Sequence, residues 1–116
     1  MEILLHYIWK HRILPLHELH TTDGRLVEVI DPGLHNRHDG PDFFNAKVKI
    51  GGVMWVGNVE IHEKAADWYA HHHDSDEAYN NVILHIASVI NADIVTADGS
   101  HPPQLELHVP QSVADN

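Results

Sequence analysis

Residues 43–62 read FFNAKVKIGGVMWVGNVEIH, and this stretch decides the fold. Residues 43–50 alternate between apolar and polar side chains, the period of a half-buried strand. Gly51-Gly52 is a two-residue hairpin turn. Residues 53–62 make the return strand, with Val53, Trp55, Val59 and Ile61 on one face and Asn58, Glu60 and His62 on the other. Upstream, RLVEVID (25–31) is a short β-branched strand that follows an Asp23-Gly24 turn. The loop from Pro32 to Pro41 is polar and carries His35, Arg37, His38 and Asp39. At the start, EILLHYIWKHRIL (2–14) places Leu4, Leu5, Ile8 and Trp9 at helical spacing, and Pro15 ends the helix.

Downstream, EKAADWYAHHH (63–73) has no β-branched residue and suits a short helix. VILHIASVI (82–90) is nearly continuous in apolar residues, as a buried strand is. IVTA (94–97) and QLELHV (104–109) supply one or two further strands, the latter at an edge, and QSVADN (111–116) is a loose tail. The predicted order is helix, strand, strand, strand, helix, strand. A helix between 53–62 and 82–90 implies a right-handed crossover joining parallel neighbours. The expectation is one α/β domain over residues 1–110 with a mixed central sheet.

A chain of 116 residues holds one domain. The absence of cysteine excludes a disulfide scaffold, a thiolate zinc finger, an iron–sulfur site and a cysteine nucleophile. It fits a cytoplasmic protein. No apolar run approaches the ~18–20 residues of a membrane span, and Lys10, His11 and Arg12 follow too early for a signal peptide. A formal charge of −10 argues against non-specific nucleic-acid binding. The 13 histidines make charge and association pH-sensitive. No GxxxxGK[ST], GxGxxG or GxSxG pattern is present, so kinase, dehydrogenase and serine-hydrolase readings have no footing. HExxH is also absent, since Ala66 stands where the second histidine would follow His62-Glu63.

The sharpest constellation is Asp42, Glu60 and His62. Glu60 and His62 project from one strand face, and Asp42 opens the strand that pairs with theirs. Two carboxylates meeting there offer hard oxygen ligands to Mg²⁺ or Mn²⁺, and such an ion can activate water and clamp a phosphoryl oxygen. A strict two-residue turn pairs Asp42 with Ile61 and puts Asp42 and Glu60 on opposite faces. A bulge after Pro41 restores their convergence; without one, Asp39 is the better partner. His71-His72-His73 reads as a solvated helix end, from which one imidazole can join Glu60 or His62. Arg37 can hold a phosphate from a polar surface loop. His85, in its apolar run, reads as a hydrogen-bonded core histidine, and Trp9, Trp55 and Trp68 as core residues.

GPDF (40–43) followed by VEIH (59–62), in this element order, resembles the PD-(D/E)xK restriction-endonuclease-like superfamily. The resemblance implies a restriction-endonuclease-like core and phosphodiester hydrolysis of nucleic acid. Asp42 and Glu60 would bind Mg²⁺ or Mn²⁺, the Ile61 carbonyl would add a ligand, and His62 would stand in for the superfamily's lysine. A neutral imidazole there serves as base or ligand, and Lys64 follows two residues on. LLHYIWKHR, DPGLHNRHDGPDFFNAKVKI, GNVEIHEKAADWY and YNNVILHI also resemble an uncharacterised bacterial conserved family, a domain of unknown function, over most of the chain. Its members are longer, which implies an N-terminal part or a short relative. Two alternatives stand beside the nuclease: a non-catalytic module of the same fold used for homo-oligomerisation or interaction, and a histidine-rich zinc-binding protein.

Overall fold

A computed structural model describes residues 2–13 and 18–109. The alternating stretch forms β4 (Phe43–Ile50) and β5 (Val53–Lys64), antiparallel and joined at Gly51-Gly52. Both turn glycines have positive φ, which the primed hairpin turns require. Before them come α1 (Glu2–Lys10), β1 (Leu19–His20), β2 (Leu26–Asp31) and β3 (Leu34–His35). After them come α2 (Asp67–Ala70), two 3₁₀ turns (His73–Ser75 and Glu77–Tyr79), β6 (Val82–Val89) and β7 (Gln104–Glu106). The strands form one mixed sheet in the order β1-β2-β4-β5-β6-β7, with β3 pairing the start of β4. The β1, β2, β3 and β4 pairings are antiparallel, whereas β5, β6 and β7 run parallel.

The two faces of β5 bury different chemistry. Val59 and Ile61 join Leu5, Ile8 and Trp9 of α1, with Phe43, Leu84, Ile86 and Leu105, in the main apolar core. Trp9 anchors α1 by donating its indole N–H to the Pro32 carbonyl at 3.0 Å. On the opposite face the crossover from β5 to β6 brings in a smaller cluster of Trp68, Tyr79, Val82 and Ile94. Trp68 is fully buried and donates Nε1–H to the Val95 carbonyl at 2.8 Å. Truncating such a side chain costs about 3–5 kcal/mol, so Trp68 is a strong clamp on the crossover.

One residue sets the register that matters. From Ile50↔Val53 back to Ala46↔Gly57 the hairpin pairs as a two-residue turn dictates. Phe43 then pairs with Val59, so Phe44 and Asn45 together face Asn58. Asn45 takes the extra place with φ 57°, and its N–H donates to Asn58 Oδ1 at 3.3 Å. Asparagine tolerates this left-handed conformation better than other non-glycine residues. The bulge turns Asp42 onto the face of Glu60. β6 carries a matching irregularity opposite Asn58 and Val59. There a Cβ at Gly57 would meet Ile83 Cγ2 at 2.4 Å and the Asn81 carbonyl at 2.8 Å, so only glycine fits.

The structure departs from the sequence reading in several places. The helix expected over 63–73 is a single turn, because β5 runs on to Lys64 and His72 enters the left-handed region at φ 60°. Residues 94–97 are not a strand; Ile94 and Thr96 are buried in a turn-rich segment. Trp55 is 47% exposed, because the tip of the hairpin extends past the core that covers Val59 and Ile61. The start helix ends at Lys10, and Arg12 follows at φ 54°. Leu14, Pro15 and the tail from residue 110 lie outside the described residues.

The bulge yields the first prediction. Asn45→Gly should leave stability within a few tenths of a kcal/mol, since glycine adopts this conformation freely. Asn45→Val should cost about 1–2 kcal/mol, the price of a left-handed β-branched residue. Urea unfolding of both variants measures the difference.

Candidate metal centre

Asp42 and Glu60 meet as the bulge requires. The Asp42 backbone N–H donates to Glu60 Oε1 at 3.1 Å, and the Ile61 N–H donates to Asp42 Oδ2 at 2.8 Å. Asp39 remains an exposed turn residue whose carbonyl accepts from Asn36 Nδ2. His6 of α1 brings Nε2 to 3.4 Å from Asp42 Oδ2. Burial pushes the Asp42 carboxyl up, but His6 and the hydrogen bond with Glu60 outweigh it, so Asp42 is ionised below the usual range. Glu60 takes the opposite role. Burial first, and then the charge of Asp42, push its carboxyl up to about 10. Two like charges this close do not both ionise in a buried site.

The other oxygen of Glu60 faces imidazoles. Glu60 Oε2 lies 2.8 Å from His73 Nε2 and 3.2 Å from His62 Nε2. Both nitrogens are buried, and neither makes a bond of acceptable hydrogen-bond geometry. A tetrahedral ion with bonds of ~2.0 Å places its ligand atoms ~3.3 Å apart, which matches the His62 spacing and exceeds the His73 one. His62 and His73 also meet the exposed His71: one nitrogen from each of the three histidines lies within 4.8 Å of the others. Burial first, then the neighbouring imidazoles, hold His62 down to about 3 and His73 to about 4. Both causes favour neutral rings at His62 and His73, the form that ligates a metal.

Local conformation explains how two of three consecutive histidines face one point. His71 caps the single turn of α2, the left-handed His72 swings the chain, and His73 opens a 3₁₀ turn with its ring buried. His73 stacks on Tyr79 at 3.7 Å between centroids, and Trp68 meets it edge-on at 5.2 Å. His72 is exposed. The solvated-helix-end reading of this tract therefore holds for His71 and His72, both exposed, and fails for His73. The HHH tract was visible in the sequence, but nothing in it signalled a chain reversal at its middle residue.

Behind His62 the sheet carries a buried polar row. His62 Nδ1 is 2.7 Å from His85 Nε2, and His85 Nδ1 is 2.8 Å from Gln104 Oε1. His85 is thus the hydrogen-bonded core histidine expected of it, whereas no sequence signal marked Gln104. Lys64 and Arg37 are exposed. A second group, Glu2, His6 and Asp42, also brings its ligand atoms within 4.8 Å of one another.

Residues 2–116 match a family described as "Protein of unknown function (DUF2851)", and the chain belongs to it. No curated protein and no solved structure was found to match.

The buried groups give stability a definite pH profile in chelator-treated protein. His62, His73 and His85 lie below their ordinary 6.5 when folded, so the unfolded chain takes up more protons. Stability falls as pH drops through 6.5 toward 4. Glu60 lies above its ordinary 4.5, so its contribution is present below 4.5 and is lost as pH rises toward 10. The melting temperature should peak at about pH 6–7. Glu60→Gln should flatten the alkaline limb, where one proton changes stability by up to about 1.4 kcal/mol per pH unit, and leave the acid limb in place. Thermal melts across pH measure both limbs.

Proposed function

We propose that the chain is a metal-dependent, nuclease-like domain that hydrolyses phosphodiesters, its divalent cation held by Glu60, His62, His71 and His73. The observation that carries this reading is the meeting of Glu60 Oε2 with two buried imidazole nitrogens that lack hydrogen-bond partners. Three imidazoles and one carboxylate suit Zn²⁺ or Mn²⁺ better than Mg²⁺, which favours all-oxygen sets. Mn²⁺ is common to this donor set and to the pair of carboxylates Asp42 and Glu60. A cation there supplies Lewis acidity to a phosphoryl oxygen and acidifies a water. Asp42, ionised and aligned by the Ile61 N–H, is the nearby group able to take up a proton. His62 acts as a ligand in this reading.

A groove of about 850 Å³ supports a polymeric substrate. Its lining includes Asn58, two residues before Glu60, and Asn80, next to the Tyr79 that stacks on His73, but none of the four proposed ligands. Arg25, Trp55 and His101 also line it, and no carboxylate does. In a chain of net charge −10, that lining is a favourable place for a phosphate backbone.

Titration with Mn²⁺ and Zn²⁺, followed by incubation with single- and double-stranded DNA and RNA, tests the proposal. Glu60→Ala should weaken metal binding by more than the roughly 10- to 100-fold that loss of an outer partner costs, and should abolish cleavage. His72→Asn, which suits the left-handed position, should change neither. Undiminished metal binding by the Glu60 variant would falsify the reading.

A second reading, a homo-oligomerising module, draws on the hairpin tip. Val53, Met54, Trp55 and Val56 are all about half exposed, and β6 pairs with β5 only from Asn58 onward. An apolar strand edge of this kind invites addition of a second copy. Light scattering should then report a dimer that Trp55→Lys dissociates; a monomer at every concentration excludes this reading.

A further inference from the structure

The row behind His62 dictates where that ring carries its hydrogen. Gln104 donates Nε2–H to the Ala92 carbonyl at 2.9 Å, which orients its carboxamide with Oε1 toward His85. An amide oxygen only accepts, so His85 Nδ1 bears the hydrogen. A neutral imidazole has one N–H, so His85 Nε2 is a lone pair. His62 Nδ1, 2.7 Å away, must donate to it. The remaining nitrogen of His62, Nε2, is then a bare lone pair, and it is the atom facing Glu60 Oε2 at 3.2 Å.

The reverse arrangement is costly. If His62 held its hydrogen on Nε2, His85 would donate from Nε2, and its bare Nδ1 would face Gln104 Oε1 at 2.8 Å. Flipping the carboxamide would relieve that clash but set its oxygen against the Ala92 carbonyl. Either choice leaves buried acceptors without donors. Gln104 therefore arbitrates the whole row. Burial favours neutral rings along the row, since His62 and His85 are 1% and 0% exposed.

We infer that His85 and Gln104 are positioning residues that lock His62 in the Nδ1–H tautomer and so present its Nε2 lone pair to a divalent transition metal. This rests on the metal-centre reading above. Neither residue touches the ion. They act as the outer partners that orient metal-bound histidines do, fixing ring plane and tautomer before the metal arrives. The row spans three parallel strands, since Glu60, His85 and Gln104 stand in register on β5, β6 and β7. The rigidity of that sheet holds the ligand in place.

The test combines two readouts. Nitrogen-15 NMR of the imidazoles in chelator-treated wild-type protein should show His62 and His85 both protonated on Nδ1. Competition titration with Zn²⁺ or Co²⁺ then measures affinity. Gln104→Leu, which removes the acceptor, should move His62 toward the Nε2–H form and weaken binding by about 10- to 100-fold. Gln104→Glu, in the protonated form that this buried position favours, keeps an acceptor toward His85 Nδ1 and a donor toward the Ala92 carbonyl, and should restore both readouts toward wild type. A wild-type His62 protonated on Nε2 overturns the inference without any variant. So does a folded Gln104→Leu protein with wild-type affinity. Wild-type protein with the stated tautomers but no affinity for either ion instead defeats the metal-centre reading and leaves the tautomer relay standing.

Discussion

Asn45 in the left-handed region is the constraint on which the site depends. A hairpin with a two-residue turn has a fixed register, and that register separates Asp42 from Glu60 by the thickness of the sheet. One extra residue in β4 reverses the facing of everything before it. Phe43 thereby joins Val59 in the apolar core, and Asp42 swings to the polar face beside Glu60. The same bulge serves packing and chemistry together. Its conformation is tolerable because asparagine pays little for positive φ.

The polar face is a concentrated electrostatic cost. Glu60, His62, His73, His85 and Gln104 are all buried, and Asp42 adds an ionised carboxylate beside them. Without a cation, the cluster settles by neutralising itself: Glu60 keeps its proton and the imidazoles lose theirs. That leaves nitrogen lone pairs directed at a carboxyl group without hydrogen-bond geometry. Under the proposed function a divalent cation resolves the conflict, because it takes the place of the proton and accepts the lone pairs. The main core on the other face, with fifteen buried apolar residues, is what makes such a cluster sustainable.

The crossover is the second device. It contains little regular structure, a single helical turn and two 3₁₀ turns, yet it is held firmly. Trp68 and Tyr79 are buried in their own cluster, and both pack against the His73 ring. A longer helix would have sent His71, His72 and His73 in three directions. Breaking it at His72 lets the residues on either side converge with His62. This division of labour places one set of candidate ligands on the sheet and the other on the crossover that passes over it.

Several features were legible in local pattern. The bounds of β4, the Gly51-Gly52 turn, the buried run of β6 and the shared face of Glu60 and His62 all follow from period-two alternation and turn chemistry. These are properties of a few adjacent residues and their backbone. The placement of Asp42 was legible only as a choice between two registers, because a bulge depends on how β4 docks as well as on its own residues. Beyond reach of local pattern were the burial of His73, the exposure of Trp55 and the part played by Gln104, which lies 19 residues from His85. Which strand lies beside which, and what covers each face, is set by long-range packing of the whole chain. The amino-acid order thus determined the strands and their candidate ligands, and the tertiary structure alone decided which of those ligands point at one another.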